Sequence, residues 1–452
     1  MSVTIRVLQG KHDLLALAAV CPDRYPGLLE SAAHGTPSAC RDVLAAFPQR
    51  TIQLDADGCV RNDAGNVLGS RFLDVLDQAW REQRDVTARH PDAPMFQGGW
   101  FLYLGYELAA EIEPRLRLSL PVDGPPVALA LRCPVSVIVD HEQNQTTLIA
   151  ESGFERLLDL VETDLRAAGA WRPCALQLER VEEDEPQAFL DGVAKVHDYL
   201  RAGDVFQVNL SREWRIDLAG EASAADIHAA LRKSNPAPFS GLLQWQNWAI
   251  SSSSPERLVQ ILADKVQTRP IAGTRSRDHA DDDFARIEEL IGHPKERAEH
   301  VMLIDLERND LGRVCVPGSV IVDELMGVES YTHVHHIVSN VSGRLRGDVS
   351  PADVIRAVFP GGTITGCPKV RCMEIIAELE QAPRGAYTGA FGYLDNNGDL
   401  DLNILIRTLT INGPALQLRA GAGIVVDSEA NFELEETRAK ARGVLRAFGL
   451  ET

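Results

Sequence analysis

The most regular feature of the chain is an alternation near its middle. In VFQVNLSREW (205–214), Phe206, Val208 and Leu210 fall on one side and Gln207, Asn209 and Ser211 on the other. A period of two predicts a half-buried strand. The preceding LDGVAKVHDYLRAG (190–203) has helical spacing and ends on Gly203, a usual stop signal. LLQWQNWAISSSSPERLVQIL (242–262) predicts strands meeting at a serine-rich turn. HPKERAEHVMLIDLERNDLG (293–312) predicts a helix with Pro294 in its first turn. TGAFGYL (388–394), LDLNILIRTLTI (400–411) and LQLRAGAGIVV (416–426) predict successive antiparallel strands, and ANFELEETRAKARGVLRAFG (430–449) a closing helix. Earlier in the chain, VSVIVD (135–140) alternates, and QGGWFLYLGYE (97–107) carries glycine turns. Strands in runs with helices between them place the chain in the α/β (α+β) class, with sheets covered by helices.

The charged, proline-bearing stretch RVEEDEPQAF (180–189) is the one clear break in composition. It divides an N-terminal region, 1–179, from a C-terminal region, 187–450. Over the whole chain 65 acidic residues face 45 basic ones, a net charge of −20. A field of that sign repels nucleic acid and anionic membranes, so neither is an expected partner. Lysine is scarce, with seven in 452 residues. The eight cysteines form no CxxC pair, and none clusters with histidine at zinc spacing. Scattered thiols, no apolar run at the N-terminus and no span of membrane length predict a cytoplasmic protein.

Two helices place a carboxylate among apolar positions. Glu299, Met302, Leu303 and Leu306 follow i, i+3, i+4, i+7 spacing, and so do Phe432, Glu436, Ala439 and Gly443, with Lys440 one turn beyond Glu436. Two such carboxylates from separate helices could share one Mg²⁺, an ion that takes oxygen donors. Intrahelical pairing of Glu436 with Lys440 accounts for the same pattern without a metal. Glu256, after a proline at a strand end, is placed to act as a general acid once burial raises its pKa. PGGTITGCPKVR (360–371) offers free amides and hydroxyls for an anion but lacks the spacing of a P-loop. In THVHHIVS, His333, His335 and His336 lie too close together for a zinc site. RPIAGT (269–274) looks like a site loop, yet Ala272 at its centre has no functional group.

Taken in order, SSSSPERLV, RPIAGTRSR, KERAEHVMLIDLERNDLGRV, HVHHIVS, FPGGTITGCPKVRCMEIIAELE, AYTGAFGYL, ILIRTLT, GAGIVVDS and ELEETRAKA resemble the chorismate-utilising enzymes. More weakly, LLES (28–31) and QGGWFLYLGYELAAEIEP (97–114) extend the likeness into the N-terminal region, where a tryptophan site is possible. The resemblance implies a chorismate-utilising enzyme fold of two packed antiparallel sheets surrounded by helices. It implies chorismate as substrate, Mg²⁺ as cofactor held by Glu299 and Glu436, and a glutamine amidotransferase partner supplying ammonia. Arg407, Tyr387 and the amides of Gly421, Ala422 and Gly423 would bind the enolpyruvyl carboxylate. Lys440, Thr363, Ala272 and Gly273 would line the pocket, Thr274 beside them in the catalytic loop. Glu256 would protonate the departing ring hydroxyl, and His336 would position the ring.

Relatives that add water carry a lysine base where this chain has Gln207, and a glutamine amide cannot deprotonate water. Ammonia is therefore the expected nucleophile. GGTITG (361–366) and QGGWFLYLGYELAAEIEP resemble the aminodeoxychorismate synthases, whose product leads to 4-aminobenzoate and folate. GAGIV, and Ala272 where those enzymes have a lysine, resemble the anthranilate synthases. The first is the leading expectation, the second its alternative, and a non-catalytic chorismate-binding protein a minor one.

Overall fold

The structure, a computed structural model, describes residues 3–32, 40–84, 95–276, 294–330 and 334–450, without the side chains of 272, 274–276, 294–296, 330, 334 and 335. Two antiparallel sheets, each of twelve strands, form its frame. The first runs in the order Val3–Gln9, Gln145–Glu151, Val135–Asp140, Arg41–Ala46, Gly27–Glu30, Phe239–Trp245, Trp248–Ser254, Thr408–Asn412, Ala415–Ile424, Gln207–Leu218, Leu178–Glu183. The short strand Gly366–Cys367 also pairs with Gln207–Leu218. The second runs Ile271–Ser276, Val334–Arg344, Lys265–Thr268, Arg257–Leu262, Leu400–Asn403, Ala390–Asp395, Gly99–Leu104, Ala128–Cys133, Arg50–Leu54, Val60–Arg61, Val67–Gly69, with Ile321–Ser330 also on Val334–Arg344. Strands from 1–179 and from 187–450 enter both sheets.

Between the sheets lies an apolar layer containing Phe101, Tyr103, Leu131, Ile138, Leu243 and Phe391. The approach is close enough that a Cβ at Gly241 would stand 2.5 Å from the Leu28 carbonyl oxygen and 2.8 Å from the Phe391 ring. Outside the first sheet pack helices Leu14–Val20, Leu157–Ala168, Ala224–Ser234 and Ala430–Leu445. Helices Phe72–Gln83, Pro294–Gly312 and Pro351–Val358 pack outside the second. Helix Pro186–Ala202, stopped by Gly203 at φ +77°, and helix Lys369–Glu380 cover the ladder of Gln207–Leu218 with Ala415–Ile424. Among the described residues no helix is long and apolar enough to cross a membrane.

Three local expectations are corrected. The serines of SSSSPER are not a turn: Ser251–Ser254 are buried inside a strand, and the hairpin turns at Gln246, φ +54°. Phe206 precedes its strand and is 67% exposed, and the strand is not half-buried where it begins: Gln207, Asn209 and Ser211 are buried along with Val208 and Leu210, and burial alternates only beyond Arg212. LDLNILIRTLTI is two strands, Leu400–Asn403 in the second sheet and Thr408–Asn412 in the first. Arg407, expected within a strand, sits in the link at φ +52°. A crossover between sheets carries no period of its own, so the apolar run concealed it.

Candidate active site

The chain passes between the sheets twice at one place. Trp248–Ser254 leaves the first sheet and continues through Pro255 and Glu256 into Arg257–Leu262 of the second. Residues 404–407 return the other way. The Ser254 hydroxyl ties the two passages together by donating to the Ile404 carbonyl at 2.5 Å. Glu256 is 5% exposed at the first crossing, and Arg407 stands at the second.

Burial pushes the Glu256 carboxyl up to about 8, helped by the charge of Glu307. The Thr363 hydroxyl, the Ile271 amide 3.5 Å away and Lys440 pull it back without cancelling the effect. A carboxylic acid of this strength keeps its proton at neutral pH and can give it to a leaving group. Burial lowers the Arg407 guanidinium pKa, and only the charge of Glu256 opposes it. Among the described residues the Arg407 guanidinium makes no hydrogen bond or ion pair, which suits it to an anion from outside.

A second group surrounds residues 421–423 of the central strand. Gln207 is buried opposite, and its Nε2 donates to Glu299 Oε1 at 2.8 Å. A Cβ at Gly423 would collide with that amide nitrogen and stand 3.6 Å from Glu299 Oε1. At Gly421 it would stand 2.6 Å from the Tyr387 hydroxyl, 2.7 Å from the Leu210 carbonyl oxygen and 3.0 Å from Asn209 Oδ1. The two glycines thus leave backbone open where side chains converge. Ala422 points the other way, into the apolar cluster beneath helices Pro186–Ala202 and Lys369–Glu380, with Val208 and Ile375. Lys440 Nζ donates to the Gly421 carbonyl at 3.0 Å and pairs with Glu436 Oε1 at 2.7 Å. Glu299 and Glu436 are therefore brought to the same short length of strand from different helices.

Neither lies on the stripe expected of it. On Pro294–Gly312 the buried positions are His300, Leu303, Ile304, Glu307, Asp310 and Leu311, while Glu299 is half-buried on the flank. On Ala430–Leu445 they are Glu433, Leu434, Thr437, Ala441, Val444 and Leu445; Phe432 is 67% exposed and the Glu436 side chain 37%. Polar residues occupy parts of both buried faces, so a count of apolar positions rotated each stripe by about one residue. That offset hid Glu307 and Asp310, whose signal was a pair of acids at i, i+3 in LERNDLG.

The pair suits magnesium in donor type: two carboxylates, with the buried Gln207 Oε1 nearby lacking a hydrogen-bond partner. No cluster of three or more His, Cys, Asp or Glu that could hold a metal occurs among the described residues, and Mg²⁺ needs none because it keeps several waters.

Other expected residues are placed as follows. Thr363 is half-buried and lowers the Glu256 pKa, its Oγ1 without a hydrogen-bond partner among the described residues. Tyr387 is buried, the guanidinium of Arg384 lies 5.4 Å from its ring centroid, and burial raises its phenol to about 12. His336 is buried in Val334–Arg344, opposite Thr274 in register. Gly273, φ +69°, forms an irregularity between Ala272 and Thr274. The side chains of Ala272, Thr274 and His335, and all of His333, lie outside the described residues. Arg269, at the head of RPIAGT, is held by Glu324 and Glu329 at 2.7 Å each.

Residues 28–446 match the chorismate binding enzymes, and the chain belongs to that family. It is 41% identical to aminodeoxychorismate synthase component 1 of Bacillus subtilis (strain 168), over 94% of this chain and 91% of that protein. To anthranilate synthase component 1 of Thermus thermophilus it is 40% identical, over 96% and 94%. The crystal structure of anthranilate synthase component I from Streptococcus pneumoniae superimposes with a TM-score of 0.79 at 31% identity, covering 91% of this chain and 93% of that one.

Proposed function

We propose that the protein aminates chorismate with ammonia from a glutamine amidotransferase partner, giving 4-amino-4-deoxychorismate for 4-aminobenzoate and folate synthesis. The observation that carries the choice of nucleophile is Gln207. It occupies the strand position where a base would be needed to activate water, and its amide is engaged with Glu299. Ammonia is nucleophilic without a base.

Arg407, Tyr387 and the backbone of 421–423 would hold the enolpyruvyl carboxylate, with Lys440, Thr363, Ala272 and Gly273 lining the pocket and His336 and Thr274 beside the ring. Glu299 and Glu436 would hold Mg²⁺, a Lewis acid for the ring carboxylate. In the first displacement the ammonia lone pair bonds to C2, the ring double bond shifts, and the C4–O bond breaks. Glu256 gives its proton to the departing hydroxyl, which leaves as water. A second ammonia bonds to C4 and expels the C2 amine, so that one ammonia is consumed and one water formed.

Ala272 favours a second reading, in which the first adduct loses pyruvate to give anthranilate. The matched relatives include both enzymes at similar identity. The discriminating experiment incubates protein, chorismate, Mg²⁺ and ammonium with and without aminodeoxychorismate lyase. 4-Aminobenzoate formed only with the lyase supports the first reading, and anthranilate formed without it the second. Chorismate bound but unconsumed would overturn both.

A further inference from the structure

Asn209 is a buried polar side chain that the scheme above does not use. It lies on the face of strand Gln207–Leu218 that turns away from the apolar cluster of Val208, Leu210 and Ala422. Its two neighbours on that face are engaged. Gln207 donates to Glu299 at 2.8 Å, and the Ser211 hydroxyl donates to Glu380 Oε1 at 2.9 Å and accepts from Arg419 Nη2 at 3.1 Å. Asn209 is 7% exposed, yet neither end of its carboxamide makes a hydrogen bond among the described residues. Buried polar side chains are nearly always hydrogen-bonded, so this one calls for a partner. Its direction is set by the main chain. The Asn209 amide donates to the Thr365 carbonyl at 2.9 Å, and Arg384 Nη2 donates to the Asn209 carbonyl at 2.8 Å. On the neighbouring strand a Cβ at Gly421 would stand 3.0 Å from Asn209 Oδ1 and 2.6 Å from the Tyr387 hydroxyl. Tyr387 is buried too, and its hydroxyl makes no hydrogen bond among the described residues. With no side chain at 421, the two groups come within reach of a single ligand atom.

We propose that Asn209 is a substrate-binding residue: its carboxamide completes, with Tyr387 and Arg407, the seat of the enolpyruvyl carboxylate. The inference rests on the chorismate reading of the site and not on which amine is formed. With no hydrogen bond to hold it, the carboxamide can turn about its last bond and offer either its oxygen or its two N–H donors to the gap. The Tyr387 phenol keeps its proton at neutral pH, because burial raises it to about 12, and so it is a donor as well. A ligand that accepts from an O–H and an N–H at once, beside an unpaired guanidinium, is an anion with more than one oxygen, and a carboxylate has that form. In the empty site Asn209 leaves its hydrogen bonds unmade. The bound carboxylate supplies them, so the residue favours the complex over the free protein.

Chorismate affinity is measured by titration calorimetry in wild type, Asn209→Leu and Asn209→Asp, together with KM for ammonia and the melting temperature without ligand. Loss of a hydrogen bond to a charged group should weaken chorismate binding about tenfold or more in Asn209→Leu, and the like charge in Asn209→Asp should weaken it further. KM for ammonia should not move. Without ligand, Asn209→Leu should melt no lower than wild type, because it leaves no buried carboxamide unpaired. Chorismate affinity equal to wild type in both variants overturns the inference and leaves the chorismate reading standing. A raised KM for ammonia at unchanged chorismate affinity also overturns it, since the carboxamide would then meet the nucleophile. So does an Asn209→Leu protein that melts well below wild type while Asn209→Asp binds chorismate normally, which marks a structural residue. Wild type that binds no chorismate removes both readings.

Discussion

Glu256 and Arg407 are fixed by reciprocal backbone hydrogen bonds. The amide of Ile404, three residues before Arg407, donates to the Glu256 carbonyl at 3.0 Å, and the amide of Ser253, three before Glu256, donates to the Arg407 carbonyl at 3.1 Å. Acid and cation are thus held by the main chain where two strands cross between sheets, and their side chains stay available for substrate. An active site built on crossing strands gains precision from the ladders on both sides.

The first consequence concerns Glu256→Gln. Amide for carboxyl preserves shape and removes the proton donor, so turnover should fall roughly a hundred- to ten-thousand-fold while chorismate affinity is retained. The raised pKa also bears on stability. An ordinary glutamate ionises at 4.5 and Glu256 at about 8, so between these values the folded state binds the extra proton and stability falls as pH rises. At pH 9 the variant should melt above wild type, and the gain should vanish below pH 4. Calorimetry at the two pH values, with kcat and Kd, checks both; equal turnover in the variant would exclude the acid role.

How far such residues can be recognised beforehand depends on what holds them. Gln207 and residues 421–423 lie in strands whose sequence alternates plainly, so the strands are legible, but both faces are buried there and the pattern does not show it. Glu256 stood out through its proline, although its strand neighbours did not. Arg407 could be named but not placed, because ILIR is apolar through a crossover and shows no break. Glu307 carries no periodic signal, because helix Pro294–Gly312 buries His300, Glu307 and Asp310 along with its leucines and the polar members break the apolar pattern.

A different buried group should govern stability. Glu30 Oε2 meets His228 Nε2 at 2.9 Å, Glu30 Oε1 meets Arg232 at 2.7 Å, and His228 Nδ1 meets the Ser251 hydroxyl at 2.9 Å. Burial pushes Glu30 up, but His228 and Arg232 outweigh it and hold the carboxyl below its ordinary value. Its contribution is therefore present above pH 4.5 and lost on acidification below that. His228→Leu strands part of a buried carboxylate and should cost about 3–5 kcal/mol in urea unfolding at pH 7. The cost should shrink below pH 4 as Glu30 protonates. A pH-independent difference would mean that packing, not charge, was lost.

Glu299→Ala removes one of the two carboxylates proposed for Mg²⁺ and frees the Gln207 amide. Titration calorimetry should show weaker Mg²⁺ binding by tenfold or more, and chorismate turnover should be lost together with its dependence on the ion. Mg²⁺ affinity unchanged from wild type would place the ion elsewhere.

Gly423→Ala tests the same region from the backbone. The added methyl lands on the Gln207 amide nitrogen, inside a ladder where Asn209 pairs with Gly423. The strand cannot retreat without breaking hydrogen bonds to Gln207–Leu218, so the side chain of Gln207 must swing away from Glu299. The fold should survive, because Gln207 is a single side chain and the ladder remains paired. A crowded core position of this kind costs about 1–3 kcal/mol. Chorismate turnover should fall at least tenfold, and Gln207→Ala introduced with it should relieve the stability loss without restoring turnover. If Gly423→Ala alone kept both stability and turnover, the contact between Gln207 and Glu299 would have no part in shaping the site.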